Sequence, residues 1–422
     1  MRNPCRGVAV LLLACWLLVL AAPARAGEEL PLTFDMDRAV ERARRGSPLV
    51  ELAEAMREQA ELEWLQAQEQ ADRIPAESVE TYEMASIKYL YPFQALMAYL
   101  VARQYEKAAA CDAEWMARRT YCQLWQAQAA LRAAEEAVEA AVAHLDFLNL
   151  AGATGTVTRE DLLAGKVRVA QAQAQLVAAQ GAVALAEEAF RQALGIHPGR
   201  KIELSGLPEP ASGAGAEGED LAALTAEALD KRFEVYAAEK ECEVRRLDLD
   251  LARRYPSTPL APMPAEGLPP MEPDETPEEY WERLQDWLGE QAEAEPSPHA
   301  VPLAEAALRQ SQLKREAAKD AVRLDVLSAY WAVQKARANL EAARAAAEAA
   351  AAALELARAR YEAGTISRLE LINAELEAVV AAVGEETARC ELLMAEADLA
   401  HARGWGTGEG RPLQLTSGSP TP

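Results

Sequence analysis

Side chains able to hold a metal or attack a substrate are few and scattered. The four histidines, His144, His197, His299 and His401, fall on separate predicted elements. None has a cysteine or carboxylate at the spacing a metal site needs. Of six cysteines, Cys5 and Cys15 lie in an N-terminal leader, and Cys111, Cys122, Cys242 and Cys390 remain. Cys111 and Cys122 share a predicted helix, where a rise of about 1.5 Å per residue sets them roughly 16 Å apart, beyond disulfide reach. These residues predict no disulfide framework, no metal or cofactor site and no catalytic constellation, so the chain is not read as an enzyme. The patterned polar residues do another kind of chemistry. Thr158 stands three residues before Asp161, and Ser367 three before Glu370. A hydroxyl followed at that spacing by a carboxylate is a capping box. It binds the free N–H groups of a helix start and places a negative charge at the positive end of the helix dipole.

Both boxes close a glycine turn. Gly155, Thr156, Val157 and Thr158 form one; Gly364, Thr365, Ile366 and Ser367 form the other. Each turn lies between Ala-rich helical stretches, so each is the tip of a helical hairpin. The two copies hold one offset of 209 through Tyr121/Tyr330, Leu131/Leu340, Leu145/Leu354, Leu162/Leu371 and Gly195/Gly404. A second offset, of 185, relates Ala43, Val50 and Ala53 to Ala228, Val235 and Ala238. A register kept this long marks a tandem duplication. Each half is a short helix, a medium helix, an irregular link and a long hairpin.

In chain order, a helical stretch over Thr33–Gln70 is broken at Gly46-Ser47-Pro48. The link Ala71–Tyr91 includes Val79–Met84, whose weak alternation predicts a short strand. Long and return helices follow over about Pro92–Leu150 and Thr158–Leu194, with Gly195 as C-cap. Lys201–Gly218 reads as a linker rich in Gly, Pro and Ser. In the second half, Ser257–Pro277 is too rich in proline for regular structure. Thr276 then opens a short acidic helix whose Tyr280, Trp281, Leu284, Trp287 and Leu288 are read as packing residues. Long and return helices span about Pro302–Ala363 and Ser367–Arg403. At about 1.5 Å per residue the long helix reaches roughly 90 Å.

The chain has 422 residues and a formal charge of −24, which excludes nucleic acid and an anionic membrane surface as partners. Residues 1–26 read as a secretory leader, with Arg2 and Arg6, an apolar run over Val8–Ala22 and the cleavage pattern Ala24-Arg25-Ala26. The mature chain is expected to begin at Gly27 and to be exported. Leu12-Leu13-Ala14-Cys15 is an alternative, lipid-acceptor pattern.

Tyr361-Glu362-Ala363-Gly364-Thr365 followed by Leu369-Glu370-Leu371, with Ala329-Tyr330-Trp331 and the opening Asp37-Arg38-Ala39-Val40, resembles the TolC family of outer-membrane efflux proteins. The resemblance covers most of the mature chain. It implies a homotrimer whose helices form a periplasmic tunnel and whose strands, four per subunit, share an outer-membrane barrel. It also implies that the tips meet a periplasmic adaptor and an inner-membrane pump, and that the protein is a passive duct. In that family an Asp, a Tyr and an Arg near the tips hold the tunnel closed. Asp161 and Tyr361 occupy matching positions and are candidate gate residues; Ile366 stands at the Arg position.

The expected fold is therefore predominantly α-helical, a tandem repeat of long antiparallel hairpins of TolC-like α-barrel type. A barrel strand needs about 9–11 alternating residues. Neither link supplies two such strands, so the barrel portion is expected to be short or absent. The expected divisions are a leader (1–26), a first repeat (27–200), a linker (201–218), a second repeat (219–404) carrying the insert 256–301, and a tail (405–422). Two functions fit: a trimeric efflux duct of the cell envelope, docked through both tips, or a non-conducting structural or adaptor-like helical protein.

Overall fold

The structure, a computed structural model, describes residues 32–153, 157–197, 201–209, 220–257, 276, 279–281, 283–284 and 299–404. The leader with Cys15 and its cleavage pattern, Gly155, Thr156, most of the Pro-rich insert, Trp287, Leu288 and the tail lie outside the described residues.

The first repeat opens with strand β1 (Leu32–Phe34) and helices α1 (Met36–Gly46) and α2 (Pro48–Asp72). The Asp35 side chain accepts from the Arg38 N–H at 2.7 Å and so caps α1. Pro48, at the first position of α2, needs no helical donor there, which lets α2 start immediately after Ser47. The first long hairpin is α3 (Tyr91–Ala153) and α4 (Arg159–Ala193). Strand β2 (Ile202–Leu204) follows. The second repeat consists of α5 (Leu221–Lys231), α6 (Phe233–Arg254), α7 (Ala300–Glu362) and α8 (Arg368–Ala402). The helices lie side by side in the order α4, α3, α8, α7, with α1 and α2 on α3 and α5 and α6 on α7.

The two cores use the same positions. Ala39, Ala43, Val50, Ala113, Ala117, Leu124 and Phe190 are buried in the first. Their counterparts at offsets of 185 and 209, Leu224, Ala228, Val235, Val322, Val326, Val333 and Leu399, are buried in the second. The repeat read from the sequence is thus a repeat of packing. Each return helix ends in a left-handed glycine against the junction of its own short helices. Gly195, at φ 60°, meets Gly46, and Gly404, at φ 70°, meets Lys231, which is 185 residues beyond Gly46.

Two local expectations change. The segment Val79–Met84 is not a strand: Ala76–Ser78 form a 3-10 turn, and a helical turn starts at Tyr82 with Thr81 capping the Met84 N–H at 3.3 Å. The turn Tyr82–Ala85 and a π-helical turn at Ser86–Leu90 run directly into α3. Packing overrides the weak alternation, because Val79, Ala85, Leu90 and Met97 bury together against Val244 and Leu251 of α6. Tyr82 donates its hydroxyl to Asp248 at 2.5 Å across that contact. Burial first, then the adjoining Asp248 carboxylate, push the Tyr82 phenol up to about 12.

The second change lies in the expected linker. Ile202–Leu204 pairs in parallel with Leu32–Phe34, Leu32 opposite Ile202. The buried Tyr121 then donates its hydroxyl to the Gly206 carbonyl at 2.5 Å. Part of the linker is thereby built into the first core. In the insert, Leu284 is buried but Trp281, expected to pack, is 60% exposed.

Candidate functional site at the hairpin tips

At the second tip α7 ends in a Schellman turn. The Thr365 N–H donates to the Arg360 carbonyl and the Gly364 N–H to that of Tyr361, both at 2.9 Å. Gly364 sits at φ 71° with open space around it, so its backbone conformation alone calls for glycine. The new helix starts at once. The Ser367 N–H and hydroxyl both donate to Glu370, at 2.6 and 2.9 Å, and the Glu370 N–H returns a bond to the Ser367 hydroxyl at 3.2 Å. At the first tip Thr158 and Asp161 make the same box, at 2.8, 2.6 and 3.2 Å.

These bonds hold both carboxylates below their ordinary range, through the Thr158 side chain and then backbone for Asp161, and the Ser367 backbone and then side chain for Glu370. Farther from the tips, α3, α4 and α8 border an open groove of about 230 Å³, lined by His144, Arg168, Gln171, Gln175 and Asn373 among others. Partial burial, and then the Arg168 guanidinium 3.5 Å from its Nδ1, lower the His144 pKa. All three shifts have one sign. A group with a depressed folded pKa contributes stability that is present above its unfolded value and lost as pH falls. Lowering pH should therefore loosen the tip half in two stages, first below about 6.5 through His144 and then below about 4 through Asp161 and Glu370. Protection factors of the α4 and α8 amides near the tips, which are exchange rates corrected for the intrinsic pH dependence, should fall in that order. Protection factors that stay constant down to pH 3 would contradict it.

The tip residues divide by exposure. Thr158, Asp161, Tyr361, Gly364, Thr365 and Ser367 are exposed. Val157 and Ile366 are half-buried. Val157 and Leu162 fold over Gly152, whose missing side chain leaves the space they use: a Cβ there would lie 3.3 Å from Leu162 Cδ1 and 3.6 Å from Val157 Cγ2. The two candidate gate residues are not joined to each other within one chain. Asp161 is held by Thr158, and the Tyr361 ring carries the Arg368 guanidinium 5.9 Å from its centroid. Arg368 is seven residues from Tyr361 and out of register with the arginine of the family pattern. The turn at Gly364 folds it back onto the ring. Linear spacing does not reveal that stacking.

Further contacts absent from the sequence reading run between α3 and α8. Asp112 meets His401 at 2.6 Å, the Trp115 indole N–H donates to Asp398 at 2.5 Å, and that of Trp125 to Glu386 at 3.1 Å. Cys122 and Cys390 lie between them, both fully buried. Among the described residues no cluster of three or more His, Cys, Asp or Glu is placed to hold a metal, and no helix is long and apolar enough to cross a membrane.

Two side-by-side hairpins with matching capped tips, flanked by short helices, define the architecture. Residues 298–404 match the family model described as outer membrane efflux protein. Among solved structures, a membrane protein from Pseudomonas aeruginosa is 20% identical, with a TM-score of 0.61, over 90% of this chain and 92% of that one. The outer membrane protein VceC of Vibrio cholerae is 16% identical, with a TM-score of 0.60, over 88% and 96%. The CmeC outer membrane channel of Campylobacter jejuni is 13% identical, with a TM-score of 0.60, over 87% and 85%. A search of curated protein sequences gives no significant match. The chain shares the fold of these three structures, and the family match lies in residues 298–404.

Proposed function

We propose that the chain is one subunit of a passive efflux duct of the outer membrane, working as a homotrimer with a periplasmic adaptor and an inner-membrane pump. The observation that supports it most is what the repeat leaves uncovered. In the order α4, α3, α8, α7 the two edge helices are the repeat counterparts of α8 and α3, which pack on each other. Copying the α3–α8 register onto α7 of one subunit and α4 of the next sets Trp331 opposite Gly181 and Leu327 opposite Leu185. Trp331 is 61% and Leu185 75% exposed in the single chain, and the space around Gly181 is open. An edge-to-edge contact between unlike surfaces is heterologous, and closing it gives a ring. The cystine-forming pair Gly181→Cys with Trp331→Cys should crosslink subunits into closed trimers, whereas Leu185→Glu should leave monomers.

The tips supply the docking surface: Gly155, Thr156, Val157 and Thr158, with Gly364, Thr365, Ile366 and Ser367. Asp161 and Tyr361 form the narrow end. The wall inherits the acidic excess of the chain, and a low-dielectric passage of one sign concentrates the opposite ion, so the pore should prefer cations. Bilayer recordings in a salt gradient test this. Replacing Asp161 and Tyr361 by alanine should raise conductance, by less than a full Asp-Tyr-Arg network would allow, because Ile366 stands at the arginine position and Arg368 already holds Tyr361. Anion preference would refute the electrostatic argument.

One observation favours a second reading, a non-conducting structural or adaptor-like protein of the envelope. Between α2 and the turn at Tyr82 only residues 73–81 are available, and they carry a 3-10 turn. A membrane hairpin needs two strands of about 9–11 residues. The first link therefore adds no barrel hairpin, and a confirmed trimer without conductance in either variant would leave this second reading.

A further inference from the structure

We propose that Cys122 and Cys390 form a disulfide bond that staples the first hairpin to the second. The proposal rests on the reading that the chain is exported, since such bonds persist in oxidising compartments. Their placement follows from the antiparallel register of α3 and α8. On one side of the pair Asp112 meets His401 and Trp115 meets Asp398; on the other, Trp125 meets Glu386 and the Gln126 side chain meets the Thr387 carbonyl at 3.3 Å. As residue numbers rise along α3 their partners fall along α8, and Cys122 and Cys390 occupy the intervening rung. Both side chains have no exposed surface, so each points into the helix interface and not to solvent. Both are free thiols in the structure. The adjoining Cys122 thiol, followed by burial, pushes the Cys390 pKa upward.

The pair is not an outcome of the repeat. The counterparts of Cys122 and Cys390 at the offset of 209 are Trp331 and Gly181. Two cysteines thus replace a large and a small residue at the one place where the two halves of a single chain meet in this register. Cys111 and Cys242 differ from them: the Cys111 thiol donates to its own helix, to the Lys107 carbonyl at 3.3 Å, and Cys242 is buried on α6.

A sealed thiol of raised pKa is a poor nucleophile, so the bond forms while the hairpins are still docking. One thiol loses its proton and attacks the disulfide of an exported thiol–disulfide oxidoreductase, giving a mixed disulfide. The second thiolate attacks that sulfur and releases the oxidoreductase as a dithiol, which has taken up two electrons and two protons. Closure of α3 on α8 then shields the bond from reductant.

The test is peptide mapping of the full chain recovered from the cell envelope, denatured and alkylated without reductant. Trypsin cleavage places Cys122 in residues 120–132 and Cys390 in residues 390–403. The expected result is one linked peptide pair, with Cys111 and Cys242 alkylated, and separation of the pair only after reduction. Recovery of both peptides alkylated and unlinked would overturn the proposal. Refolding the reduced chain with oxidised glutathione locates such a failure. A linked pair there would show that the thiols can meet and that the export reading is at fault, whereas unlinked peptides would show that the geometry is wrong. Reduction should also lower the unfolding midpoint of the wild type and leave that of Cys122→Ser unchanged.

Discussion

Replacing Gly195 by alanine is expected to cost about 3 kcal/mol or more and to uncouple α4 from the short helices of its repeat. Two effects combine. Gly195 holds φ 60°, and a Cβ in the left-handed region costs about 1–2 kcal/mol. The same Cβ would stand 2.0 Å from the Gly46 carbonyl oxygen, a backbone atom that cannot swing away. Relief requires moving the junction at Gly46 and Ser47, which sets the direction of α2. The Schellman turn, in which the Ile196 N–H donates to the Arg191 carbonyl at 2.9 Å, would open with it. Gly404→Ala is the internal comparison. It carries the same backbone strain, but its Cβ would meet Lys231 Cβ at 3.1 Å, where a small shift suffices, so about half the loss is expected. Gly384→Ala lies inside α8 with nothing within 4 Å and should stabilise by about 0.5–1 kcal/mol. Thermal unfolding followed by circular dichroism should rank the variants with Gly195→Ala lowest and Gly384→Ala above wild type. Equal midpoints for Gly195→Ala and Gly384→Ala would remove the close approach as a cause.

The second large effect is on docking. Changing Val157 and Ile366 together to aspartate is expected to reduce adaptor crosslinking at least tenfold while trimers persist. Both side chains are apolar, half-buried and set at the very end of a hairpin among exposed polar residues. An aspartate at either site would have to be stripped of water by the proposed adaptor on docking, a cost of several kcal/mol without a paired charge. The contact between subunits is expected along the bodies of α4 and α7, at Leu185, Leu327 and Trp331, far along the helices from the tips. Docking and assembly should therefore separate: Leu185→Glu loses trimers, and the double aspartate loses only the adaptor. Photo-crosslinking from a tip position in intact cells, run beside size-exclusion light scattering, reads both. Crosslinking at wild-type level in the double variant would take the docking role away from the tips.

What the sequence determined by itself is what depends on near neighbours or on counting. The capping boxes at Thr158 and Ser367 close over three residues, so their hydrogen bonds are written in the local order. The duplication is visible because the long hairpins of both copies kept their length, and the offsets of 185 and 209 also align the buried positions of the two cores. The tertiary structure alone decided contacts between residues far apart along the chain. Ile202 pairs with Leu32 because α3 and α4 return the chain to its start. That pairing turned part of an expected linker into a strand. The alternation at Val79–Met84 gave way to helix because burial against α6 outweighs a weak strand preference. Cys122 could find no partner along its own helix, where spacing forbids a bond. It faces Cys390 only because two hairpins, each stable in its local pattern, lie antiparallel in one particular register. Local hydrogen bonds set where helices begin and end; the burial of side chains between helices sets which distant residues meet.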